Sequence, residues 1–152
     1  MHSPEHPNQE SPVDQIDHDS RSGPLLIRHE GHTPRERSTC GWRDRLIGRE
    51  DADLNPAAWV HAVDIDGARL HYHKRSTELY YVLEGSGTVI LNDQEQNVSK
   101  GSLVHIPPGV VHGARGRMRV LVVGIPDIAD DDFFESERAP NSQHQQGQQQ
   151  SQ

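Results

Sequence analysis

The sequence has few cysteines, no excess of basic residues and no long apolar run, the features on which disulfide-stabilised, nucleic-acid-binding and membrane-spanning proteins depend. It contains a single cysteine, Cys40, which excludes an internal disulfide. Fifteen basic residues stand against 23 acidic ones, and the formal net charge of −8 at pH 7 speaks against a nucleic-acid partner. The longest strongly apolar run, residues 120–125, is too short to cross a bilayer. We therefore expect no nucleic-acid partner and no membrane partner.

The two ends of the chain differ in composition from its middle. Residues 1–22 are rich in Pro, Ser, Asp, Glu and Gln, with five acids against one Arg, and residues 127–152 carry six acids against one Arg. The intervening residues 23–126 hold 13 bases and 12 acids, so the negative charge belongs to the ends. The composition predicts a disordered acidic tail over 1–22, a folded domain with a short C-terminal arm over 23–138, and a disordered Gln-rich tail over 139–152.

The beginning of the chain shows no targeting signal. Residues 1–15 lack the basic region followed by an apolar stretch that marks a secretory leader. Together with the lack of an apolar run of bilayer length, this predicts a cytoplasmic protein.

The middle of the chain has the alternation of β-strands. Residues 58–65 alternate with a period of two and lead into the turn signal Asp66-Gly67. Residues 78–91 are rich in β-formers and contain Gly85-Ser-Gly87, which favours a hairpin. No segment has a convincing helical period, although 43–50 fits either a short helical turn or an irregular strand. Further short strands are predicted at 70–73, 103–106 and 118–125, and the whole pattern predicts an all-β antiparallel sandwich or barrel.

Three histidines and one glutamate stand out within this strand-rich region. His71 and His73 are two residues apart, so in a strand they share a face and lie close enough to bind one ion. Two polar side chains on a solvent face would show the same spacing. Glu78 begins the next predicted strand, and His112 follows the turn Pro107-Pro-Gly109. Three imidazoles and one carboxylate would leave two positions open on an octahedral ion, as catalytic sites require.

These residues and the glycines near them fall into two spaced groups. The first group is Gly67, His71-x-His73, Glu78 and Gly85, and the second, after 15 intervening residues, is Gly101, Pro107-x-Gly109 and His112. Together the two groups resemble the two sequence motifs of the cupin superfamily, with the spacing of microbial single-domain cupins. The chain departs from these motifs at two points, neither of which involves a predicted ligand: three residues separate Gly67 from His71 where the family usually has five, and Gly116 stands where the family usually has Asn.

The resemblance implies a jelly-roll barrel of six to eight strands, a metal site and a homodimer in which edge strands are covered. The metal would be divalent Fe, Mn, Zn or Ni, because a ligand set of histidines and one carboxylate is not selective among these ions. Iron would suit a dioxygenase, and the other metals a Lewis-acid isomerase, decarboxylase or lyase acting on a small polar metabolite. The alternative is a non-catalytic cupin that binds or senses a small molecule. The ligands implied are His71, His73, Glu78 and His112.

Strand alternation nominates further residues near this site. Arg69 shares the predicted face of the two neighbouring histidines and is the candidate for binding a substrate carboxylate or phosphate, although it also fits an arginine that reaches water. Tyr80 and His61 are the catalytic candidates, and both also fit as core residues. Cys40 is expected to be an inert thiol because no base partner is indicated. Phe133-Phe134 fits a short helix or an arm that packs on the barrel or against a second subunit.

Overall fold

The computed structural model describes residues 26–54, 57–126 and 130–137. The predicted tails, 1–22 and 139–152, lie outside these residues. None of the helices in the described ranges has the length and apolar character that a bilayer crossing requires. The strands are β1 (Arg35–Arg37), β2 (Gly41–Ile47), β3 (Trp59–Ile65), β4 (Ala68–Tyr72), β5 (Thr77–Leu91), β6 (Gln94–Ser99), β7 (Leu103–Ile106), β8 (His112–Ile125) and β9 (Phe134–Glu135), and short 3-10 helices span Glu30–His32, Arg49–Leu54 and Asp130–Asp132.

The strands form one antiparallel sheet that curls around a core. Strand β8 is its centre, because it pairs with β3, β4 and β5 along its length. Strands β1 and β2 extend the sheet beyond β3, β9 pairs with β4, and β6 and β7 pair with the two ends of β5. The described part of the chain contains no α-helix, so the all-β antiparallel prediction is confirmed.

Alternation along the strands builds the core. In β8, Met118, Val120 and Val122 are buried, whereas the residues between them are only partly so. Burying an aliphatic side chain of this size contributes about 1.5–3 kcal/mol, so the inward row of each strand holds the sheet in its curled shape. The buried apolar cluster comprises Val63, Ile65, Tyr80, Val82, Val89, Ile106, Ala114, Met118, Val120 and Val122.

The predicted hairpin at Gly85-Ser-Gly87 is wrong, because β5 continues through these residues to Leu91. Gly85 has a φ of +75°, and a Cβ there would lie 2.1 Å from the carbonyl oxygen of Arg117 on β8. The glycine therefore permits a close cross-strand approach within a bent strand, which a turn prediction from composition mistakes for a reversal. The chain reverses just after β5, at Asn92, whose φ is +54°, and the residue pair Asn92-Asp93 is itself a turn signal.

The ambiguous segment 43–50 is a strand up to Ile47 and a 3-10 helix from Arg49. Asp51 in that helix accepts two hydrogen bonds from the guanidinium of Arg28, both of 2.8 Å, and a third from the backbone N–H of Gly48. The bonds from Arg28 lower the pKa of Asp51 to about 2. This arrangement fixes the end of β2, the strand that carries Arg43 and Arg45.

Candidate metal centre

Three imidazoles and a carboxylate converge inside the barrel. Strand β4 provides His71, the residue after it is His73, β5 provides Glu78, and β8 begins with His112. One ligand atom from each lies within 4.8 Å of all the others, and every one of the four side chains is buried. Direct antiparallel pairing of His71 with His112 brings the two sequence motifs together.

Backbone carbonyls fix the orientation of all three rings. The Nδ1–H of His71 donates to the carbonyl of Arg69 (2.8 Å), and that of His112 donates to the carbonyl of Val110 (2.9 Å). Nδ1 of His73 donates to the carbonyl of Asp132. Because a carbonyl only accepts, each Nδ1 carries a proton, and this leaves Nε2 as the atom that can bind a metal ion or, when it is protonated, donate to Glu78. Metal-binding histidines show this same pattern.

The fourth donor, Glu78, lies among these nitrogen atoms. Its Oε2 is 3.0 Å from Nε2 of His112, and its Oε1 is 3.4 Å from Nε2 of His73. Burial alone would raise the pKa of Glu78, but the two imidazoles hold it well below its usual range. Burial lowers the pKa of His71 to about 4, so that ring is neutral at pH 7. Nε2 of His73 is buried without a hydrogen-bond partner. This set of donors is compatible with a divalent metal ion.

A C-terminal segment, residues 130–137, completes the site. The ring of Phe133 stacks on His71 at a centroid distance of 4.7 Å. The carboxylate of Asp132 accepts hydrogen bonds from the backbone N–H groups of Lys74, Arg75 and Ser76 and from the Ser76 hydroxyl. Asp132 thus orders the loop between two of the predicted ligands. Sequence reasoning missed Asp132, because 59 residues separate it from His73; the adjacent Phe133-Phe134 was the available signal.

The two catalytic candidates occupy different positions. His61 lies on the wall of a cavity beside the cluster, and its ring centroid is 4.4 Å from that of Trp59. Tyr80 is 1% exposed, lies in the apolar cluster and does not line the cavity. Burial and the nearby charge of Glu78 raise the pKa of Tyr80 well above its usual value. Burial likewise raises the pKa of Cys40 to about 11, which agrees with an inert thiol.

Arg69 is exposed, whereas His71 and His73 are buried. Its side chain is 62% exposed, forms an ion pair with Glu135 at 2.7 Å, and is absent from the cavity wall. The pairing register between β4 and β8 shifts between Ala68 and His71. Such a shift interrupts the simple alternation from which the position of Arg69 was predicted.

A cavity of about 350 Å³ opens beside the cluster. One part of its wall comprises His71, His73 and Glu78, and another comprises Arg43, Arg45 and Arg49. Sequence reasoning missed these arginines. Their signal was the two-residue spacing of Arg43 and Arg45, which places both on one face of a strand, but the segment was not assigned as a strand.

Comparisons with known proteins agree with this architecture. Residues 62–124 match the family model described as "Cupin domain". An uncharacterized protein of Methanocaldococcus jannaschii is 33% identical over 67 residues, which are 41% of this chain and 54% of that protein. Quercetin 2,3-dioxygenase of Bacillus subtilis is 40% identical over 45 residues, 30% of this chain and 13% of that enzyme. The chain therefore matches little more than half the length of one curated relative and a small part of the other.

Solved structures extend the likeness to the fold. The crystal structure of a protein from Planctomyces limnophilus has a TM-score of 0.66 and 27% identity, and the match covers 74% of this chain and 99% of that one. Pac13 of Streptomyces, described as a nucleoside dehydratase, has a TM-score of 0.65 over 74% of this chain and 91% of that one. At 19% identity, the second likeness shows a shared fold alone.

Proposed function

The chain is a small cupin-domain protein, and from this premise we propose that it binds one divalent first-row metal ion and catalyses a reaction on a small polar metabolite. The proposed ligands are His71, His73, Glu78 and His112. One observation carries the metal proposal: three imidazoles held by their Nδ1–H groups turn their Nε2 atoms towards one buried carboxylate. Buried lone pairs and a buried negative charge in this arrangement are stabilised by a cation.

The residues around the cluster support a catalytic site rather than a closed structural one. A metal ion held here would supply Lewis-acid chemistry or, as iron, redox chemistry with oxygen. The adjoining cavity gives a small molecule access to the cluster. His61 on its wall has a pKa lowered to about 4 by burial and by two arginines, so it stays neutral and can both donate and accept hydrogen bonds. The ring of Phe133 stacks on that of His71 and adds apolar surface to the cavity wall.

The class of reaction that we propose depends on which metal ion the native protein holds. The curated relative named quercetin 2,3-dioxygenase favours oxygen chemistry, and the Lewis acidity of a bound Mn, Zn or Ni ion would favour the other reactions. We therefore propose a dioxygenase if the purified protein carries iron, and an isomerase, decarboxylase or lyase if it carries Mn, Zn or Ni. A metal-loaded protein that binds a small molecule without turnover would instead be a binding or sensing module.

Elemental analysis of untagged protein purified without chelators tests the metal proposal. We expect about one metal ion per chain in the native protein and almost none in His112→Ala, because one of four ligands is lost from a buried site. His105→Ala is the matched control, since His105 is exposed on β7 and lies outside the cluster. Failure of the native protein to hold any metal, even after reconstitution, would contradict the proposal.

We also propose that two copies of the chain associate through the outer face of the sheet. Leu103, Tyr81 and Leu121 are neighbours across β7, β5 and β8, and the first two are 65% and 45% exposed. An exposed apolar row of this kind is typical of an interaction surface. Sedimentation equilibrium should give twice the chain mass, and Tyr81→Glu should give the monomer. A native protein that is monomeric at all concentrations would contradict the dimer.

A further inference from the structure

The cavity beside the cluster carries an excess of positive charge on its wall. Three of its lining residues, Arg43, Arg45 and Arg49, are cationic, and its one carboxylate, Glu78, is already engaged by two imidazoles. The acidic partners of Arg43 and Arg45 lie elsewhere: Arg43 pairs with Glu36, Arg45 lies against Glu36 and Glu50, and neither glutamate lines the cavity. A wall of this composition attracts anions.

Arg45 has hydrogen-bonding capacity that the protein leaves unused. Its Nε atom is buried and has no hydrogen-bond partner, although it lies 3.4 Å from Oε1 of Glu36. Its Nη1 is 3.2 Å from Oε2 of Glu50. A buried donor without a partner costs free energy, which an oxygen atom of a ligand can recover. A guanidinium offers the planar, forked donors that match a carboxylate or a phosphate.

The cavity also limits the size and nature of the rest of the ligand. A volume of about 350 Å³ is at the lower end of the range for small-molecule sites. Trp59 and Phe133 contribute apolar surface, and neutral His61 contributes a polar contact. The wall therefore suits a small organic molecule with one strongly anionic group and a compact body.

We propose that the natural ligand of this cavity is a small organic anion whose carboxylate or phosphate binds Arg45 and Arg43, with its remaining polar atoms directed towards the imidazole cluster. The inference rests on the proposed function, since it names the substrate class of that same site. It moves the role of anion recognition from Arg69, the residue nominated by the sequence, to two arginines on β2. Arg45 provides the principal contact because of its unsatisfied Nε.

Calorimetric titration with defined probes tests the inference. Malonate represents carboxylates and glycerol 3-phosphate represents phosphates, with malonamide and glycerol as their uncharged counterparts. We expect one of the two anions to bind at least about 10-fold more tightly than its uncharged counterpart. Arg45→Gln should weaken that binding about 10- to 100-fold through the loss of charge-assisted hydrogen bonds. Arg45→Lys, which keeps the charge without the fork, should give an intermediate loss.

Two matched variants control for nonspecific loss of positive charge. Arg69→Gln and Arg115→Gln each remove an exposed arginine outside the cavity, and both should bind the anion as the native protein does. Thermal unfolding of every variant verifies folding. Equal binding of charged and uncharged probes would overturn the inference, as would an equal loss in Arg69→Gln and Arg45→Gln.

The failure of the inference can be distinguished from that of the metal proposal. If elemental analysis finds the metal but neither anion binds, the anion inference is wrong and the metal site stands. If the protein holds no metal but binds an anion in an Arg45-dependent manner, the inference stands and the metal proposal fails.

Discussion

Replacing Asp132 by alanine should lower the free energy of unfolding by about 3–5 kcal/mol, because it removes the acceptor for a buried network. The carboxylate is 1% exposed and accepts hydrogen bonds from three successive backbone N–H groups and one hydroxyl. Alanine leaves these donors without their acceptor, and the two donors of Ser76 are buried. Urea unfolding monitored by circular dichroism measures the change.

The same substitution should also weaken metal binding, by about 10- to 100-fold. The backbone carbonyl of Asp132 orients the ring of His73, and its carboxylate orders the loop that leads from His73 to Glu78. Competition with a chromogenic chelator measures the affinity. Asp132→Asn should recover part of both losses, because the amide keeps one acceptor oxygen.

The adjacent Asp131 provides a matched control for this prediction. Its side chain is 74% exposed and pairs with Arg75 at the surface. Surface ion pairs contribute little to stability, so Asp131→Ala should leave both the urea midpoint and the metal affinity nearly unchanged. Equal effects of the two substitutions would show that residues 130–137 cover the barrel without ordering the site.

The four clustered side chains could be nominated from the sequence because their spacing is local. His71 and His73 follow the period of a strand, and the Pro107-Pro-Gly109 turn precedes His112 at the start of β8. The resemblance to known motifs then related the two halves. Strand alternation predicts which residues share a face, and antiparallel pairing predicts that they meet.

The features that could not be predicted from the sequence depend on irregular strand geometry and on contacts between distant parts of the chain. The exposed position of Arg69, where it pairs with Glu135, does not follow from alternation, because a register shift next to His71 interrupts that alternation. The hairpin was wrong because Gly85 permits a bent strand as readily as it permits a turn. Asp132 meets His73 only when the chain has folded. Arg43 and Arg45 acquire their role from the cavity that they line.

Replacing Arg119 by methionine should lower the free energy of unfolding at pH 7 by about 2–3 kcal/mol, because it leaves a buried carboxylate with fewer partners. The guanidinium donates to Asp44 and Asp64 at 2.8 and 2.7 Å and to Glu30 at 2.8 Å, and so connects β8 with β2, β3 and the first 3-10 helix. Asp44 is 5% exposed. Arg35 also contacts Asp44, so the loss is smaller than that of a completely unpaired charge.

The pH dependence of this loss distinguishes ion pairing from packing of the arginine stem. Burial alone would raise the pKa of Asp64, but hydrogen bonds from Arg35 and Arg119 lower it below its ordinary value. A carboxyl with a lowered pKa stabilises the fold above its unfolded pKa of about 4, and that contribution is lost as the pH falls further. The difference in free energy of unfolding between the native protein and Arg119→Met, measured with urea, should therefore shrink between pH 5 and pH 3.

The control variant is Arg115→Met, which removes an exposed arginine paired with Glu95 and should show no such trend. A difference that stays constant down to pH 3 would assign the stabilisation to packing, because the Arg119 stem contacts its neighbours at every pH.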